Sequence, residues 1–375
     1  MKHLKIIDGL RAWLALWVII AHVMLGAGYT SESTGLRRVL QQGHLAVGVF
    51  MIISGFVIFM LLQKREENYR QFITRRFFRL FPAYGVFLIA AVATIDLKLW
   101  AVTAGPAYLA NQIPFYQSAT AEYWQTLPWN LPLHLSMLQG LLPDSLLGPY
   151  AQQAYLPPAW SISLEWQFYL VAPLIFLAVT TARSWGRLLL AFVVILLIYA
   201  GHHYTWSLSF LPFNVDHFAV GIISCFVYEK IKPWCGEKIN RDIMFPTALV
   251  LAISLYLFAL RQHSFIPLCG WLLFFALLLE NSASISSRLH LLFTNPPAQF
   301  IGRISYSVYL SHWTVMILMQ ATIVKFIPPL EQRTHFLVLL VLTLLGTVGV
   351  SALSYRFIET PAMRWGKRLA RQSHG

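Results

Sequence analysis

Residues 7–23 read IDGLRAWLALWVIIAHV, an apolar run with Asp8 and Arg11 at its mouth and His22 deep inside. An α-helix turns about 100° and rises about 1.5 Å per residue. The eleven steps from Arg11 to His22 therefore return to nearly the same face, about 16 Å further along. This places a fixed cation at the water interface and a titratable base near mid-bilayer, both facing one groove. Ionisable groups at that depth are costly and mark function. The bland alternative, a snorkelling arginine and a packing histidine, has to be weighed against the rest of the chain.

Composition decides the class. Of 375 residues 57% are apolar and only 11% charged, with a mean hydropathy of +0.60, whereas soluble domains carry about 25% charged residues. The chain therefore reads as all-α: a polytopic integral membrane helix bundle, multi-pass in the cell (inner or plasma) membrane. Its 13 Trp and 16 Tyr supply interfacial anchors. Cys225, Cys235 and Cys269 have neither metal-ligand spacing nor the pattern of a disulfide framework. No cleavable signal peptide is evident, because the first apolar run carries Arg11 and His22.

Apolar runs long enough to span fall near 10–28, 44–62, 82–101, 160–180, 188–204, 211–229, 243–260, 266–281, 304–324 and 335–357. About ten transmembrane helices put both termini on one side. With that side cytoplasmic, 22 of the 28 basic residues lie inside; Arg37, Arg38, Lys98, Arg261, Lys325 and Arg333 lie outside. The positive-inside rule is obeyed, so the net charge of +13 is topological and no nucleic-acid partner is expected. The chain reads as one domain, 1–375. A long extracytoplasmic loop at 102–157 is expected to lie on the bundle as short amphipathic helices. A basic cytoplasmic hairpin occupies 63–81, and a short basic cytoplasmic tail 358–375.

Other polar groups reach the same depth. Ser54 lies about 15 Å down its span, and His312 about 13 Å up from Arg303. Glu165, in WSISLEWQFYLVAP, enters from outside with Ser163 beside it. Ser305, Tyr309 and His312 share a helix face by i, i+4, i+7 spacing. A buried carboxylate beside a buried imidazole can orient a base and stabilise its imidazolium. Ser54-Gly55 reads equally well as a close helix contact, and Tyr306 and Tyr309 as packing aromatics. No set of His, acidic or thiol residues has metal-ligand spacing, so no metal is expected. On the inner side Arg75, Arg76 and Arg79 form a cationic turn before Pro82. Guanidinium forks suit phosphate, although anionic lipid head groups are a nearly even alternative.

Taken in order, IDGLRAWLALWVIIAH, GHLAVGVFMIISGFVI, RRFFRLFPAY, WSISLEWQFYLVAP, ISYSVYLSHW and RFIETPAMRW resemble membrane acyltransferase family 3, integral membrane O-acyltransferases. The resemblance covers essentially the whole chain. Phe50-Met51 and Trp166 depart from the family's usual residues beside two of these motifs. The resemblance implies acyl-CoA, usually acetyl-CoA, as co-substrate, with Arg11, Arg75, Arg76 and Arg79 near its phosphates. It also implies His22 as the catalytic histidine and a sugar or other envelope hydroxyl as acceptor. The rise from the interface to His22 is comparable to a pantetheine arm, about 16 Å. His22 is then expected as general base with Glu165 orienting it, Asp8, Ser54, Ser163, Ser305, Tyr309 and His312 lining the site. Glu165 acting on the imidazolium directly or through water, and an acyl-histidine relay, both stay open. The competing class is a transporter or flippase of an acyl or glycan precursor.

Overall fold

A computed structural model describes residues 4–29, 35–64, 67–148, 151–181, 184–203, 206–231, 265–279 and 286–372. Each long apolar run within these residues has become a helix, since backbone polar groups in lipid can be satisfied only internally. The helices are α1 (Lys5–Gly26), α2 (Gly43–Lys64), α3 (Tyr69–Ala93), α4 (Ile95–Thr103), α5 (Ile113–Leu135), α6 (Trp160–Thr181) and α7 (Ser184–His203). They continue as α8 (Val215–Ile231), α9 (Phe265–Leu279), α10 (Ser286–Thr294), α11 (Pro296–Phe326), α12 (Gln332–Ser354) and α13 (Thr360–Gln372).

Among the described residues six helical stretches are long and apolar enough to cross a membrane, seven if the bent pair α3–α4 is one span. The chain is thus a multi-pass helical membrane protein. Of the ten runs read from sequence, 188–204 and 266–281 form α7 and α9, which are not among the six. The run at 243–260 lies outside the described residues. The bend of 46° between α3 and α4 falls at Thr94, whose hydroxyl bonds back to the carbonyls of Ala90 and Ala91 at 3.1 and 3.0 Å and so competes with the helical ladder.

Glycines set how closely the central helices approach. A Cβ on Gly302 of α11 would stand 2.0 Å from the Asp8 carbonyl of α1, and one on Gly9 1.9 Å from that of Phe293. On the other side of α2, a Cβ on Gly55 would meet the Phe218 carbonyl at 2.4 Å, and one on Gly221 that of Ile52 at 2.1 Å. Small residues at such contacts replace the hydrophobic drive that lipid cannot supply between helices. The result clamps α1 between α11 and α2, and α2 against α8.

Among the described residues of 102–157 one helix is longer than the short helices expected there. This 23-residue α5 carries Pro128 and Pro132 and is pinned to the turn at Ala151. Asn130 Nδ2 and His134 Nε2 both bond the Ala151 carbonyl, at 3.1 and 2.8 Å. Burial pushes the His134 imidazole down to about 4. The tail, read as 358–375, is helical as far as Gln372: α12 continues through a π-helical turn, Tyr355–Glu359, into the amphipathic α13. Trp365 of α13 lies over Phe78 of α3, ring centroids 5.1 Å apart.

Candidate active site: two chambers that share a wall

On the basic face a cavity of about 260 Å³ opens between α1, α2, α3, α6 and α11. The chain shapes it locally. Asn68 and Gln71 form a reciprocal capping box that starts α3, so that Arg76 and Arg79, one turn apart, both reach the cavity. Arg79 donates to Glu359 at 2.7 Å and lies over the Tyr306 ring, 5.4 Å from its centroid. Glu359 is fully buried, and its other oxygen accepts from Ser307. Arg76 is sandwiched over Phe72 and Tyr169 at 5.5 and 5.6 Å. Asp8 and Arg11 enter from α1, Ser54 from α2, Glu165 from α6 and Ser305 from α11.

The Glu165 carboxylate accepts from the Ser54 hydroxyl at 3.4 Å and from the Tyr169 hydroxyl one helical turn away. These two hydrogen bonds hold it at the basic cavity, which His22 does not line, whereas the sequence leads to the expectation that it orients His22. Long-range packing of α2 and α6 placed it in the basic chamber. Ser54-Gly55 serves both readings at once: Ser54 faces the cavity while Gly55 admits α8.

One expected donor-binding residue and one expected lining residue sit elsewhere. Arg75 is ion-paired with Glu67 rather than lining the cavity. Ser163 is wholly buried and accepts from Gln167 Nε2 at 3.0 Å and the Gly140 amide at 3.3 Å. It ties α6 to the turn at Gly140 that follows α5. Conversely Tyr169, Tyr306 and Glu359 were not assigned a site role from sequence. The signals were present, an aromatic four residues after Glu165 and a lone acid in a basic tail.

His22 lines a second cavity of about 470 Å³ on the opposite side, with Tyr29, Arg38, His44, Trp160 and Tyr309. The single groove expected for Arg11 and His22 is therefore two adjoining chambers; Val47 and Tyr309 border both. The polar partner of His22 is His312 of α11, its Nε2 3.1 Å from His22 Nδ1. His312 Nδ1 stands 3.1 Å from the Val308 carbonyl, which can only accept, so that nitrogen carries the proton. His312 Nε2 is then an acceptor, and His22 Nδ1 must donate to it while also facing the Val18 carbonyl at 3.1 Å. This network leaves His22 Nε2 with a bare lone pair. Trp313 packs edge-on against the His22 ring at 5.4 Å. Among the described residues no group of three His, Cys, Asp or Glu side chains is placed to hold a metal ion.

A multi-pass helix bundle with arginines, carboxylates and a histidine pair lodged between its spans is the class that fold and site define. The chain belongs to the acyltransferase domain family Acyl_transf_3, whose model matches residues 4–356. Among curated proteins it is similar to peptidoglycan O-acetyltransferase OatA of Listeria monocytogenes, 26% identical over 391 residues, covering 97% of this chain and 56% of the relative. O-acetyltransferase OatA of Staphylococcus aureus is 26% identical over 398 residues, covering 97% and 58%. The chain thus spans just over half the length of these relatives. No solved structure matches it.

Proposed function

We propose that the chain is a membrane O-acyltransferase that moves an acyl group, acetyl in the first instance, from acyl-CoA to a hydroxyl of a cell-envelope glycan. Family membership supports acyl transfer, and the peptidoglycan in the name of the Listeria relative supports a glycan acceptor. The observation that carries the reading is the His22–His312 pair, with His22 Nε2 bare at a chamber that adjoins an arginine-lined one. The positive-inside rule supports a cytoplasmic basic face, on the side where acyl-CoA is made, and with it an inner or plasma membrane location.

Arg11, Arg76 and Arg79 take the phosphates of the donor, for which planar guanidinium forks are suited. Glu359 holds Arg79 in place from behind. The acyl thioester end reaches toward the shared wall. His22 Nε2 takes the proton of the acceptor hydroxyl as its oxygen attacks the thioester carbonyl. The C–O bond forms, the C–S bond breaks, and the proton passes from His22 to the departing coenzyme A thiolate. His312 stabilises the transient imidazolium by accepting from Nδ1–H. Glu165, held by Ser54 and Tyr169, lines the donor's path as a fixed acceptor.

The test is transfer by detergent-solubilised protein, where no gradient exists. Labelled acetyl-CoA and a muramyl glycan should yield an alkali-labile labelled glycan and free coenzyme A thiol in equal amounts. A transporter or flippase would leave both substrates intact.

A further inference from the structure

We propose that Tyr309 is a movable partition between the two chambers, latched by Pro158 and Ser161, and that it swings aside to admit the acyl end of the donor to His22. This rests on the acyl-transfer reading for what passes, but not for the partition itself. Tyr309 borders both cavities, and Val47 is the other residue common to them. The two cavities thus share one aliphatic and one aromatic side chain, and the aromatic one can turn about its own side-chain bonds.

The order along α11 matches the order in space. Ser305 faces the basic chamber, Tyr309 stands in the wall one turn on, and His312 meets His22 a turn later. The Tyr309 ring lies between Phe50 and His312, centroids 6.1 and 5.9 Å away.

What holds the ring in place is polar and reversible. The phenol donates to the Pro158 carbonyl at 2.8 Å, and its oxygen is 2.8 Å from the Ser161 hydroxyl, which donates to it. Both partners sit where the segment that carries α5 turns into α6. A buried phenol with two partners has one preferred rotamer; without them the ring is free to adopt others. The latch also connects the wall to the outer chamber, since Pro158 and Trp160 line that cavity. An acceptor seated there would press on the latch from the side where the acyl group is needed.

The test needs no acyl donor. In the full chain with Cys225, Cys235 and Cys269 replaced by serine, Ala21→Cys places one thiol in the outer chamber. Oriented proteoliposomes are treated with a small charged methanethiosulfonate applied to one face at a time. With Tyr309 intact, modification from the basic face should be slow. Tyr309→Ala should raise it at least about tenfold, and Tyr309→Phe or Ser161→Ala, which cut the latch but keep a ring, by a smaller factor. Modification from the opposite face should stay constant. A basic-face rate in Tyr309→Ala equal to that of the parent, with opposite-face reactivity preserved, would overturn the proposal. Should Tyr309→Ala lose opposite-face reactivity through misfolding, Tyr309→Phe decides: an unchanged basic-face rate at an unchanged melting temperature also overturns it. Opening without acetyl transfer by the parent protein would leave the partition standing and reject the acyl-transfer reading.

Discussion

His312 Nε2 lies 3.1 Å from His22 Nδ1, a contact between α1 and α11 that, under the proposed function, would orient the base where a carboxylate was expected. A neutral ring is a weaker partner for an imidazolium than Glu or Asp, but it costs less to keep in the middle of a membrane. It also fixes the tautomer.

Replacing His312 tests that role. His312→Ala should lower kcat for acyl transfer by about 10- to 100-fold with donor KM unchanged. His312→Gln, whose amide oxygen can still accept from Nδ1–H, should recover part of the loss. Equal kcat values for His312→Ala and the parent protein would show that the pair is packing alone.

The ion pair between Arg79 and Glu359 should act on donor binding. Glu359→Gln should raise the donor KM by about tenfold with a smaller change in kcat, since removing one partner of a buried pair costs several kcal/mol at most. In a double-mutant cycle with Arg79→Gln the two losses should be strongly non-additive. Arg75→Gln, which breaks a pair with Glu67 outside the cavity, should leave donor KM within about twofold of the parent.

The α1–α11 contact should tolerate no side chain at Gly302. Gly302→Ala pushes a methyl to 2.0 Å from the Asp8 carbonyl, so the helices must part near Asp8 and Arg11. The expected cost is about 1–3 kcal/mol, visible as a lowered melting temperature in detergent. An unchanged melting temperature would mean that the helices can part there without cost.

The segment that carries α5 should be acid-labile. Burial lowers the His134 pKa in the folded chain to about 4, below its unfolded value of about 6.5. The stabilisation is complete above about 6.5 and is lost as pH falls from there toward 4, by up to about 1.4 kcal/mol per pH unit. Hydrogen exchange of residues 130–159 should accelerate across that window, and His134→Asn should flatten the dependence. Exchange independent of pH between 6.5 and 4, once the intrinsic rate is corrected, would contradict it.

The helical membrane character of the chain and many of the positions that line its two cavities were legible in sequence. The Arg11–His22 spacing, the basic turn and the midplane positions of Ser54, Glu165, Ser305, Tyr309 and His312 are helix arithmetic, and the described helices keep them near the two chambers. Pairing was not legible. Whether Glu165 or His312 meets His22 depends on which helices touch, and the two rings that meet lie 290 residues apart. Val47 and Tyr309, which border both chambers, are carried on α2 and α11, which no reading of α1 alone could place. Glu359 was hidden for another reason. In a basic tail an acid reads as solvated, and only the π-helical turn at Tyr355–Glu359 brings it against Arg79.

The most direct measurement is acetyl transfer by the purified full chain and by its His22→Asn variant, with acetyl-CoA affinity measured on both by calorimetry. The account predicts transfer lowered by about 10²- to 10⁴-fold at an unchanged donor Kd, because His22 lies in the chamber beyond the arginines. Full transfer by His22→Asn would contradict it.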